Sequence, residues 1–133
     1  SGLCVDALGG RPGVLSARYG GPGLDDRGRV LRLLDELRSV PAPRRTAHFV
    51  CSLCVCGPDG RVLAAIEERC LGTLLPAPAG EGGFGYDPIF VPLEFAGDAG
   101  RTFAALDAAT KDRLSHRGKA LRALALALPG LLG

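Results

Sequence analysis

The clearest periodicity along the chain lies in Leu24–Val40. Val30, Leu31, Leu34 and Leu37 recur at helical spacing, with Asp35, Glu36 and Arg38 on the outside. Asp25 and Asp26 suit the N-terminal end, where carboxylates cap free N–H groups and meet the positive end of the dipole. Pro41-Ala42-Pro43 closes the segment. A structural amphipathic helix is predicted. Thr46–Cys56 and Arg61–Thr73 are strand-like runs joined by Gly57-Pro58-Asp59-Gly60, and turn chemistry between two apolar runs predicts a β-hairpin. Phe49, Val50, Leu53 and Val55 make the first run apolar on both faces, so it is predicted to be a central strand.

The segments on either side are richer in glycine. Cys4–Leu8 reads as a short strand, Gly9–Gly13 as a turn cluster, and Gly20–Gly23 as a break. Gly80–Phe90 (Gly-Glu-Gly-Gly-Phe-Gly-Tyr-Asp-Pro-Ile-Phe) sets glycines and an acid around two aromatic rings. Glycine lets the backbone pass close to a ligand and take positive φ. Phe84 and Tyr86 offer flat faces suited to a flat heterocycle, although a glycine-rich turn over a core aromatic fits the same residues. Asp87, standing before Pro88, is expected to be extended and to lead into a strand at Ile89–Val91.

Phe95–Arg101 reads as a loop and Thr102–Leu128 as helical, with Asp107 capping before Ala108. A straight helix raises a difficulty. It would place Arg117 on the stripe of Leu114, Leu121, Leu124 and Leu128 and turn His116 to solvent. Burying an unpaired guanidinium is costly. A break near Ser115 is therefore predicted, with Ser115 capping a second helix and His116-Arg117 in its first turn. Such a break would turn both side chains, and free N–H groups, toward a common site. One continuous helix with Arg117 paired to a carboxylate is the alternative.

Composition narrows the picture. The 133 residues suit one domain, and 47% hydrophobic residues are ample for a core. No stretch approaches the roughly 18 apolar residues of a membrane span, and no basic region followed by an apolar run marks a signal peptide at the N-terminus. There is no methionine, so Ser1 is not expected to be a translation start. Net charge is only +2, yet Arg101–Arg122 holds six basic residues against two acidic, a local charge of +4. A cluster of that size suits a small polyanion better than a duplex. It also lacks the aromatic and basic interleaving of a single-strand groove, so no nucleic-acid partner is expected. Five cysteines follow no secreted spacing. Cys51, Cys54 and Cys56 lie in an apolar run with no second Cys/His pair at zinc-finger spacing, so buried, reduced thiols in a strand and a reducing, cytoplasmic compartment are expected.

Three stretches together, Ser1–Tyr19, Gly82–Phe90 and Lys111–Gly118, resemble the inosine/xanthosine triphosphate pyrophosphatase family. The matching segments are Ser-Gly-Leu-x-Val-Asp-Ala-Leu-Gly-Gly-x-Pro-Gly-Val-x-Ser-Ala-Arg-Tyr, Gly-Gly-Phe-Gly-Tyr-Asp-Pro-Ile-Phe and Lys-x-x-x-Ser-His-Arg-Gly. The resemblance spans essentially the whole chain and corresponds to the C-terminal two-thirds of such a protein. It implies an α/β fold with an elongated central mixed β-sheet flanked by helices, lacking its N-terminal strand and helix. The implied activity is hydrolysis of dITP, ITP and XTP to the monophosphate and pyrophosphate, which removes non-standard purines from the nucleotide pool. It further implies that Ser1 touches the substrate, that Phe84, Gly85, Tyr86 and Asp87 line the nucleotide pocket, and that Lys111, His116 and Arg117 contact base or phosphates. A homodimer is implied as well.

Chemistry supports the same assignment. Hypoxanthine and xanthine carry an acceptor carbonyl at C6, where adenine carries an amino donor. Donors such as Arg117 and a protonated or suitably tautomeric His116 would favour the keto purine. The departure from the family is at the front: its Thr-Gly-Asn-x-x-Lys phosphate loop, its metal-binding Glu and the Asp-Asp before Ser-Gly-Leu are not among these residues. The second of those acids is the family's general base and a ligand of Mg2+. No catalytic or metal-binding residue is therefore assigned within the chain. The expectation is a single truncated domain that is inactive or very weak alone and carries an exposed sheet edge or an open apolar face. A purine-nucleotide-binding module without catalysis is the alternative function, and the residues do not rank ITP, dITP and XTP.

Overall fold

The computed structural model describes residues 1–132. Seven regular elements follow in order: β1 (Gly2–Val5), α1 (Asp26–Glu36), β2 (Thr46–Cys56), β3 (Val62–Leu74), β4 (Phe90–Pro92), α2 (Ala108–Leu114) and α3 (His116–Leu132), with short 3-10 turns between them. The four strands form one sheet in the order β1-β2-β3-β4, antiparallel throughout. An α/β architecture is thus present, and the mixed sheet implied by the resemblance is represented here by antiparallel pairs.

Register explains the core. Leu3 pairs with Phe49 and Phe49 with Cys70, so one face of the sheet carries an unbroken buried row. Phe49 is the hub of an aromatic cluster, 4.6 Å from Phe90 and 5.7 Å from Phe103 between ring centroids. From α1, Val30 and Leu33 join this core, with Leu37 just beyond the helix end. The predicted stripe needs correction: Leu33 is buried, whereas Leu31 is 47% exposed. Helical spacing alone fits two neighbouring stripes, and packing selects one. Asp25 is the cap, its carboxylate accepting from the Gly28 N–H.

The hairpin forms as expected, with a register shift between Val55 and Cys56. Its two halves differ, however. β1 pairs with β2 only as far as Val50, and β4 meets β3 only from Gly72 onward. Among the described residues, the distal half therefore has no strand on either flank. Cys51 is buried, but Cys54 and Cys56 are exposed, contrary to the expectation of buried thiols. Period-2 alternation places side chains on faces; it cannot say where the covering layer stops.

The distal hairpin thus has unpaired edges among the described residues, whereas β1 has its own cover. The Ser16 hydroxyl accepts from the Leu3 N–H at 2.9 Å, and the Val5 N–H donates to the Arg11 carbonyl. On the second sheet face, His48 and Val50 are half-buried and Leu71 is exposed. A buried arginine that periodicity does not reveal locks the end of α1 to β3: Arg45 donates to the carbonyls of Leu37, Val40, Leu74 and Leu75. No helix among the described residues is long and apolar enough to cross a membrane.

Candidate functional site

The loop before β4 turns back on itself through one carboxylate. Asp87 accepts from the Phe84 N–H at 3.0 Å and from Lys111 Nζ at 2.5 Å, and it is almost fully buried. This bond draws Asp87 into a 3-10 turn, Asp87–Ile89, in place of the predicted extended residue, and β4 starts at Phe90. Gly83 is required beside it. At φ +70° a Cβ there would lie 2.2 Å from the Asp87 carboxylate. Asp26 of α1 accepts from the Gly85 N–H at 3.0 Å, which ties the loop to the first turn of that helix.

The two aromatic rings of the loop have different surroundings. Phe84 is 51% exposed. Tyr86 is only 5% exposed and belongs to the core, and its hydroxyl donates to the Ser16 carbonyl at 2.7 Å. Burial holds the Tyr86 phenol up at about 12, so it remains a donor at neutral pH. Its contribution is to fix the loop against the front of the chain.

The second wall comes from the helix pair. Asp107 caps α2 by accepting from the Thr110 N–H, and the chain breaks at Ser115, whose hydroxyl accepts from the Gly118 N–H at 3.0 Å to cap α3. The predicted break is thus present, and the continuous helix is not. Helical structure begins at Ala108; Thr102–Leu106 forms turns instead, with Thr102 buried and donating to the Ala79 carbonyl. Gly118 permits the close crossing, because a Cβ there would sit 1.8 Å from the Asp112 carbonyl oxygen.

This break delivers Lys111, His116 and Arg117 to one cavity, with Ser1, Phe84, Gly85, Tyr86 and Asp87 on its other side. All eight expected residues line a space of about 400 Å³. The Arg117 guanidinium lies 4.6 Å from the Phe84 centroid and donates to the Ser1 hydroxyl at 3.1 Å. Lys111 Nζ lies 4.7 Å from the same centroid. Lys111 is neutralised by Asp87, whereas Arg117 has no carboxylate partner among the described residues.

His116 is 6% exposed and stacks on Phe49 at 4.7 Å and 11°. Burial pushes its pKa down to about 4, helped by the positive charge of Arg117, the N-terminus, Lys111 and Lys119. Of the two forms left open by the sequence, the ring is therefore the neutral tautomer at physiological pH, not the protonated one. Its Nδ1 is buried without a partner. A buried ring nitrogen in that state is costly unless a ligand or water satisfies it.

Asp26, Arg29, Ser16 and Asp112 also line the cavity and were not singled out from sequence. The acid pair at the start of α1 carried a capping signal that accounts for Asp25 but not for the reach of Asp26 to Gly85. Among the described residues, no group of three His, Cys, Asp or Glu side chains is placed to hold a metal ion. Asp87 and Asp26 are already engaged by Lys111 and Gly85. These residues do not fit a magnesium centre by themselves.

Comparison with known proteins agrees with this geometry. The Ham1 family matches residues 1–127. The chain is 51% identical over 124 residues to a dITP/XTP pyrophosphatase of Geobacillus kaustophilus, covering 93% of this chain and 58% of that protein. It is 52% identical over 124 residues to one from Thermus thermophilus, covering 93% and 57%. The chain thus spans less than two thirds of these relatives. Among solved structures, the nucleoside-triphosphatase / dITP/XTP pyrophosphatase of Mycobacterium abscessus superposes with a TM-score of 0.77 at 48% identity, covering 93% of this chain and 61% of that one. The Ham1 protein of Staphylococcus aureus superposes with a TM-score of 0.86 at 36% identity, covering 97% and 64%. With its motifs, its fold and its cavity in agreement, the chain belongs to the Ham1 family.

Proposed function

We propose that this chain supplies the purine-recognition part of a pyrophosphatase that hydrolyses dITP, ITP and XTP to the monophosphate and pyrophosphate. The observation that carries the reading is the convergence of Arg117 and Lys111 on the half-exposed ring of Phe84. A purine stacked on Phe84 would present its C6 carbonyl to donors. Arg117 is the unneutralised one, and neutral His116 can donate from Nδ1 in the matching tautomer. Adenine, with an amino group at C6, would leave those donors unpaired. The α3 N-terminus and Lys111 suit phosphate oxygens.

Recognition and cleavage separate in this proposal. Both engaged carboxylates, Asp26 and Asp87, hold the loop in place, so the described residues favour binding over water activation. Magnesium enters through the resemblance, with its ligands outside these residues. Five free thiols accord with a reducing cytoplasm. The unflanked distal hairpin, with its half-exposed Leu53, Val55 and Ile66, accords with a homodimer.

Calorimetric titration with IMP and AMP, alongside pyrophosphate release from dITP, tests the reading. The 133-residue chain is expected to bind IMP in preference to AMP and to release no pyrophosphate. Phe84→Ala should weaken IMP binding about tenfold, the loss of one base-stacking contact. Equal affinity for the two nucleotides would overturn the base assignment, and robust turnover would overturn the division between recognition and cleavage.

A further inference from the structure

The distal hairpin carries a second cluster, apart from the cavity. Cys54 and Cys56 are two residues apart on β2, so both side chains leave the same face of the strand. Their Sγ atoms lie 3.6 Å apart, and both thiols are free and exposed. Across the ladder, the residue opposite Cys54 is Ala65, whose small side chain leaves the space beside the sulfur open. Neither cysteine lines the nucleotide cavity.

We propose that Cys54 and Cys56 form a two-thiolate site for one soft divalent cation of the Zn2+ type, independent of nucleotide binding. The geometry carries the assignment. With metal–sulfur bonds of about 2.3 Å, sulfurs 3.6 Å apart subtend about 103° at the ion, close to a tetrahedral angle. Thiolate sulfur selects soft and borderline metals and disfavours magnesium or calcium. No third His, Cys, Asp or Glu joins the pair among the described residues. Water or another small ligand therefore takes the two remaining positions, and the site is open and reversible, unlike a closed structural zinc centre.

Proton balance fits the same picture. As each sulfur–metal bond forms, that thiol releases its proton to solvent. The strand backbone already sets the spacing, so no refolding has to accompany binding.

Titration of the reduced 133-residue chain with Cd2+, followed by thiolate-to-metal charge-transfer absorption in the ultraviolet, tests the site. One Cd2+ per chain is expected. Cys54→Ser and Cys56→Ser should each lower affinity by more than the roughly tenfold that loss of a supporting neighbour alone costs at metal sites. Both positions are exposed, so circular dichroism should show the fold intact. Cys4→Ser should leave the band unchanged. Retention of the full band in either single variant would overturn the proposal. So would half an ion per chain with a doubled mass, because that result places the site between two copies.

Discussion

His116 serves two environments at once. One face of its ring packs on Phe49 in the core, while the residue also lines the cavity and its Nδ1 is buried without a partner. Its pKa of about 4 lies below the ordinary value of 6.5, so the unfolded chain binds this proton more readily than the folded one. The stability that neutral His116 contributes is complete above pH 6.5 and is lost as pH falls through the interval down to about 4. Urea midpoints measured across that interval should decline, and they should decline less in His116→Phe, which keeps the stack and removes the titration. An identical slope in the variant would assign the decline to other groups. Over the same interval Tyr86 stays protonated, so its bond to Ser16 is not expected to contribute to the slope.

At the scale of elements, the corner between α2 and α3 positions the site. Ser115→Ala removes the α3 cap and should cost about 1 kcal/mol in denaturant unfolding. Gly118→Ala puts a methyl group against backbone and should cost about 3 kcal/mol, near the upper end for overpacking. Both should weaken IMP binding by displacing His116 and Arg117. A Gly118→Ala variant of unchanged stability would mean that the helices can separate freely. The sequence pointed to this corner through a conflict on a straight helix, but the apolar stripe it invoked is not the buried face: Leu121 is 56% exposed, and α3 buries His116, Gly118 and Ala120 instead. The hairpin was legible from its turn residues, and the loop before β4 from its motif. Other features join parts too distant for local pattern to relate. Tyr86 reaches Ser16 across 70 residues, and Arg45 collects carbonyls from the end of α1 and the end of β3. The exposure of Cys54 and the choice of Leu33 over Leu31 depend on where neighbouring layers begin and end, which alternation along one strand or helix does not encode.

For the whole molecule, the uneven cover of the hairpin has a consequence in time. Amides near Phe49 lie between two strands beneath the aromatic cluster, whereas those beyond Cys51 have a single neighbouring strand and open sides. Native-state hydrogen exchange should resolve these as separate opening events: slow and tied to global unfolding at Ala47–Phe49, fast and local at Leu53–Cys56. A partner copy seated on the distal half would slow only the second class, and more so as protein concentration rises. The rate at which those few amides exchange, followed across a dilution series, would therefore report association directly, with the Phe49 amides as an internal clock that dilution leaves unchanged.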